Sequence, residues 1–345
     1  MRNRSLRLCA SAMPVAAFIL SGIITTSAAQ AHVKWFAPYD VASAPVALRQ
    51  ALNPGFAELA VLAIFLFWGT CRLERTPVGA AMLDSIESIF CSLRVRTEAF
   101  IRAGVAAFFV AISATGGIIL TPELKTASPL VPVLQGLIAV GLFWRTTLPV
   151  SALGMVALFA IGLWNYGLFH MMDYPIFLGT AAYIAMIGFR IDRIGGLRAL
   201  DIVRWGTAVT LMWASVEKWA YPEWSYPVLR AHAQLTMGLD VHFYMTAAGM
   251  VEFALSFGLL WTPLVRRLSA VVLLTMFISA VLEFGKIDAI GHLPIVVLLI
   301  AIAADEMPFS RLRPVLAPMW LSVALAATIL LYYLGHTALF GTAMI

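Results

Sequence analysis

Glu217, Glu283 and His292 are the residues of this chain whose types and setting best suit a transition metal. Carboxylate oxygen and imidazole nitrogen hold iron, manganese, zinc or copper(II). Each stands at the end of an apolar stretch, in VEKW, LEFG and GHLP. Three helices ending on one side of a bundle can project such ligands toward a shared centre. Glu252, in GMVEFAL, lies mid-stretch instead, where a charge in lipid costs about 2.5–3.5 kcal/mol, so it must be protonated, paired or turned to a polar cavity. With Glu217 it is expected to relay protons or touch a ligand. The structural alternatives are an acid bonded within the bundle at Glu252, a Glu283–Lys286 pair, an outward-snorkelling Glu217 and a His292 that helps to begin a helix.

Two more stretches carry chemistry. FHMMDYP, residues 169–175, sets His170, Met171, Met172 and Asp173 together, and thioether sulfur favours copper(I), although methionines also serve as packing. WAYPEWSYP, residues 219–227, reads as an interfacial anchor in which Trp219, Tyr221 and Trp224 can also line a quinone entrance. Near the start, Arg2, Arg4 and Arg7, the apolar run 12–24 and the triplet Ala29-Gln30-Ala31 form a secretory signal peptide, 1–31. Cleavage there makes His32 the first residue, with an amine and an imidazole that together chelate copper as in a histidine brace; the alternative is an uncleaved first helix.

These side chains need helices to position them. The chain is 61% hydrophobic and 12% charged, with a mean hydropathy of +0.90, so it belongs in a bilayer. Ten candidate spans follow, near 56–71, 103–120, 130–144, 150–169, 174–189, 202–220, 243–262, 268–284, 289–304 and 315–335. With the mature N-terminus outside, fourteen of the 23 basic residues fall inside, six outside and three in the leader, the sign the positive-inside rule requires. All six histidines, His32, His170, His232, His242, His292 and His336, fall on the outer face, whereas Cys71 and Cys91 fall on the inner one and leave no outer disulfide. The formal net charge of +5 drops to +2 without the leader's three arginines, so nothing points to nucleic acid.

The chain also resembles itself. RAGVAAFFVAISATGGIILTPE from Arg102 parallels RWGTAVTLMWASVEKWAYPE from Arg204, and GLFWRTTLPVSALGMVALFAIG parallels GLLWTPLVRRLSAVVLLTMFIS. The fold expected is therefore all-α and polytopic: an N-terminal periplasmic segment 32–55, a first span and cytoplasmic loop 56–98, parallel four-helix units at 99–195 and 196–306, and a last span with a periplasmic tail at 307–345. Aligned positions differ in a consistent way, with Thr115 against Glu217, Gln135 against Glu252, Tyr166 or the adjacent Asn165 against Glu283 and Asp173 against His292. The second unit holds more of the ionisable groups.

That second unit, with WASVEKWAYPEWSYPVL, VEFALSFGLLW and EFGKIDAIGHLPI, resembles the DoxX-like membrane proteins over about residues 200–305. The resemblance implies a four-helix membrane subunit or accessory protein, in some members linked to quinone-dependent sulfur oxidation or thiol stress. This chain departs from the short form of that family in its ten spans and its leader. No Walker A loop, dinucleotide fingerprint, H-E-x-x-H or G-x-S-x-G is present. The expected protein is a bacterial inner-membrane component whose periplasm-facing His/Glu site handles copper, another transition metal or a quinone, beside a redox partner subunit. The alternatives are a proton-coupled small-solute transporter and a scaffold without chemistry; the apolar inner halves of the spans count against transport.

Overall fold

The computed structural model describes residues 33–306 and 316–341. The leader, His32, Arg311, Arg313 and the last four residues lie outside the described residues, and with them the readings of the signal peptide and the histidine brace.

The described residues form thirteen α-helices and one small hairpin, and 79% of them are helical. After a 3-10 turn at Val33–Trp35 come α1 (Leu48–Ala51), α2 (Pro54–Leu73), α3 (Pro77–Arg94), α4 (Thr97–Thr115), α5 (Leu130–Gly141), α6 (Leu148–Met171) and α7 (Pro175–Phe189). The antiparallel strands β1 (Arg193–Ile194) and β2 (Leu197–Arg198) lead to α8 (Ala199–Ala220), α9 (Pro222–Ala231), α10 (Val241–Gly258), α11 (Pro263–Phe284), α12 (Lys286–Ala304) and α13 (Ala317–Phe340). Every stretch expected to span holds a helix. Among the described residues six helices are long and apolar enough to cross a membrane, namely α2, α4, α6, α11, α12 and α13; α5 and α7 are apolar but shorter.

Local sequence explains the helix starts. α2, α3, α7, α9 and α11 carry Pro in their first turn, where a missing N–H costs nothing. Asn53 Oδ1 accepts from Phe56 N at 2.9 Å, and Asp240 Oδ1 accepts from His242 N and Phe243 N at 3.0 Å. Within α6, Gly167 adopts φ 79°, a backbone that a side chain would strain, and the last turn redirects His170 and Asp173. The segment expected as a cytoplasmic loop is largely α3, which packs on α11, α12 and α4.

Packing follows a closed circuit: α4 on α5, α5 on α6, α6 on α7, α7 on α8, α8 on α10, α10 on α11, α11 on α12, and α12 back on α4. α2 and α13 lie against α10 and each other, outside the circuit. Charged groups gather at its two ends. At one end Asp305 accepts from Arg198 at 2.8 and 3.1 Å, and its carbonyl accepts from the buried Arg266 and Arg267 at 2.6 and 3.2 Å. The N-terminal segment lies at the other end, as do all five described histidines. The mid-helix residues Ala208, Phe253, Leu273 and Leu298 between these ends are apolar and fully buried.

Candidate ligand-binding cavity

A cavity opens inside the circuit at the histidine end. Its polar wall comes from Asp173 after α6, Lys218 on α8, Glu252 on α10 and His292 on α12; Phe177, Leu211, Phe277 and Ile295 supply an apolar wall, and Trp35 reaches in from the N-terminal segment. An apolar cavity with few convergent polar groups is the usual form of a small-molecule site.

Lys34 organises the first polar group. The 3-10 turn drives its Nζ between Asp173 Oδ2 and Glu217 Oε1, each at 2.5 Å, with the three side chains only 2%, 2% and 6% exposed. Burial pulls the Lys34 ammonium down, but Asp173 and Glu217 pull it up harder, and it ends above the ordinary lysine range. Trp35, next in sequence, packs against His292 with the rings tilted and their centroids 4.6 Å apart, and Phe277 approaches that ring from α11 at 4.7 Å. Gly291 makes this possible, because a Cβ there would run into the Trp35 indole.

A second group pairs Lys218 Nζ with Glu252 Oε2 at 2.7 Å. Third, His292 Nδ1 and Asp288 Oδ2 lie 2.9 Å apart, four residues along α12. Asp288 therefore fixes the ring and leaves Nε2 as the nitrogen that can meet a ligand. Asp288 is fully buried and its Oδ1 has no hydrogen-bond partner. Two carboxylates, Asp173 and Glu252, and one ammonium group, Lys218, line the cavity itself, while Lys34, Glu217 and Asp288 are their neighbours or the partner of His292. A site so charged repels anions and suits a neutral or cationic guest.

The three residues expected to share a metal do not meet. Glu217 is taken up by Lys34, His292 by Asp288, and Glu283 lies at the rim of another region, with His232 Nδ1 at 2.6 Å and Gln234 donating to it at 2.5 Å. Among the described residues no three His, Cys, Asp or Glu side chains are grouped to hold a metal. The physical reason is that each acid has a closer cation or donor than its supposed co-ligands. Glu283 pairs with His232 rather than Lys286, and His292 stands inside α12 rather than starting it. Glu252 shares the cavity with His292 and is neutralised by Lys218 from the neighbouring helix.

The aromatic and copper(I) readings change as well. Trp219, Tyr221 and Trp224 are 5%, 1% and 7% exposed, so they are core rather than an interfacial anchor. Trp219 Nε1 donates to the Thr246 carbonyl at 3.2 Å, Tyr221 O–H donates to the Ser43 carbonyl at 2.9 Å, and the Tyr221 and Trp224 rings stack at 4.1 Å. None of the three lines the central cavity. His170 is buried edge-on against Tyr39 and Tyr166, and Met171 packs inside. His336 is fully buried with Nε2 2.9 Å from the Val41 carbonyl.

Lys34 and Asp288 were missed as site residues. A lysine directly after the leader in HVKWF, and an acid four residues before His292 in DAIGH, were the signals. No family model, no curated protein and no solved structure matches this chain.

Proposed function

We propose that this multi-pass membrane protein takes the head of a quinone-class amphiphile into the cavity between Trp35, Phe277 and His292. The observation that carries the reading is the cavity's two-sided chemistry. His292, held by Asp288, and Lys218 offer donors to carbonyl oxygens, while Phe177, Leu211 and Ile295 face the apolar body. The surplus of carboxylates disfavours anionic guests, and a quinone head is neutral. Reduction of such a head takes two electrons and two protons; a redox partner subunit would supply the electrons, and the chain's own residues bind, orient and keep water out.

The closed circuit of helices supports two parallel four-helix units at 99–195 and 196–306, with α7 meeting α8 where the first passes to the second and α12 meeting α4 where the second returns to the first. A DoxX-like ancestry is consistent with such units. The arginines at the Asp305 end favour placing that end in the cytoplasm of a bacterial inner membrane and the cavity toward the periplasm. Proton-coupled transport is less favoured, because apolar side chains close the middle of the circuit. The metal branch of the expectation loses its support with the separation of Glu217, Glu283 and His292.

Titration of the purified protein in detergent with dimethoxy-methyl-benzoquinone, followed by tryptophan quenching, tests the proposal. Saturable quenching that His292→Ala weakens by about tenfold, the worth of one good hydrogen bond, supports it. Linear quenching identical in both proteins would reject it.

A further inference from the structure

A second pocket adjoins the cavity, and Lys218 stands in the wall of both. It lies under α9 and the 3-10 turn Ala233–Thr236, and is walled by Val228, Leu229, Leu235, Met245, Ala248 and Phe284. Its one unusual feature is Tyr244. This residue is 5% exposed, lines the pocket, and buries its hydroxyl without a hydrogen-bond partner. Other tyrosines at this end behave otherwise: Tyr221, Tyr333 and Tyr166 donate to the carbonyls of Ser43, Val46 and Lys125 at 2.9, 2.9 and 2.8 Å. An orphaned hydroxyl in an apolar pocket is a standing penalty unless something fills the pocket and accepts from it.

We infer that this pocket is the subsite for the chain of the same amphiphile, and that Tyr244 O–H hydrogen-bonds an ether, ester or carbonyl oxygen on that chain. The inference rests on the quinone-class reading of the central cavity. Head and chain lie on either side of Lys218, so a ligand reaching both is held by polar contacts at two points and by apolar burial between them. The roof is fastened to α11 by Glu283 through His232 and Gln234, which gives Glu283 a role in closing the subsite.

The experiment compares three probes in detergent: dimethoxy-methyl-benzoquinone alone, the same head with a decyl chain, and the same head with a chain of equal length interrupted by ether oxygens. Wild-type protein should bind both chain-bearing probes at least about tenfold more tightly than the bare head, since each buried methylene adds several-fold. Ala248→Trp fills the pocket and should remove that gain while leaving the bare head bound, which also shows that the variant is folded. Tyr244→Phe should act in opposite directions, weakening the ether probe by about three- to tenfold and leaving the decyl probe unchanged or tighter, because its burial no longer strands a hydroxyl. A chain gain that survives Ala248→Trp, or a Tyr244→Phe effect equal for both chains, overturns the subsite and leaves the head site standing. Failure of wild-type protein to bind even the bare head overturns both.

Discussion

Replacing Lys34 with Met keeps most of the side-chain volume and removes the charge between Asp173 and Glu217. All three side chains are nearly inaccessible, so water cannot take over. Stranding a buried charge in this way costs about 3–5 kcal/mol. For 345 residues, at about 2.1 cal/mol/K of unfolding entropy per residue, the loss is a fall in Tm of roughly 4–7 °C. Differential scanning fluorimetry in detergent reads it directly. The double variant Lys34→Met, Glu217→Gln should recover about half, because one of the two stranded charges is gone, and the resulting coupling energy belongs to the pair. A fall below about 1 °C, or a double variant no more stable than Lys34→Met alone, would refute the argument that the N-terminal segment is fastened by this ion triad.

The alkaline behaviour of the same lysine follows from its raised pKa: its contribution is complete below the ordinary value of 10.5 and is lost only as pH climbs through the higher folded value. The Tm gap between wild type and Lys34→Met should therefore stay flat from about pH 7 to 9 and shrink only above about pH 10, whereas a gap that narrows by pH 8 would contradict the pairing. Gly291→Ala should push the Trp35 indole off α12, destabilise the protein by about 1–3 kcal/mol and red-shift its tryptophan emission; an unshifted spectrum would mean that the indole is not seated there. Glu283→Ala should speed amide exchange in residues 222–236 and leave α12 protected, and uniform protection in both regions would show that the roof is held by other contacts.

The positions of the expected spans were legible in the sequence because apolar runs punctuated by Pro and Asn leave few alternatives: Pro54 and Pro175 each begin a helix, whereas the helix from Pro77 was read as loop. The grouping of the histidines also holds to this extent, that His170, His232, His242, His292 and His336 lie at one end of the helix circuit. Partner choice was not legible. Glu283 and Lys286 are near in sequence, but Gly285 turns the chain between α11 and α12, and His232 arrives from the α9 region instead. Lys34 meets Glu217 and Asp173 only because the N-terminal segment folds back across the helix ends, a contact spanning 139 residues that no periodicity carries. WAYPEWSYP has the composition of an interfacial anchor, yet Trp219 and Tyr221 are buried because residues 43–46 and α10 cover them.

Photo-crosslinking tests the cavity claim most directly. An azido derivative of the benzoquinone probe, irradiated with the full-length protein in detergent and mapped by peptide mass spectrometry, should label Trp35, the Thr210–Lys218 face of α8 and the Gly291–Ile295 turn of α12, and the unmodified probe should compete that labelling away. Labelling confined to outward-facing residues such as Val61, Phe65 and Trp164, or labelling that the unmodified probe does not reduce, would contradict the account.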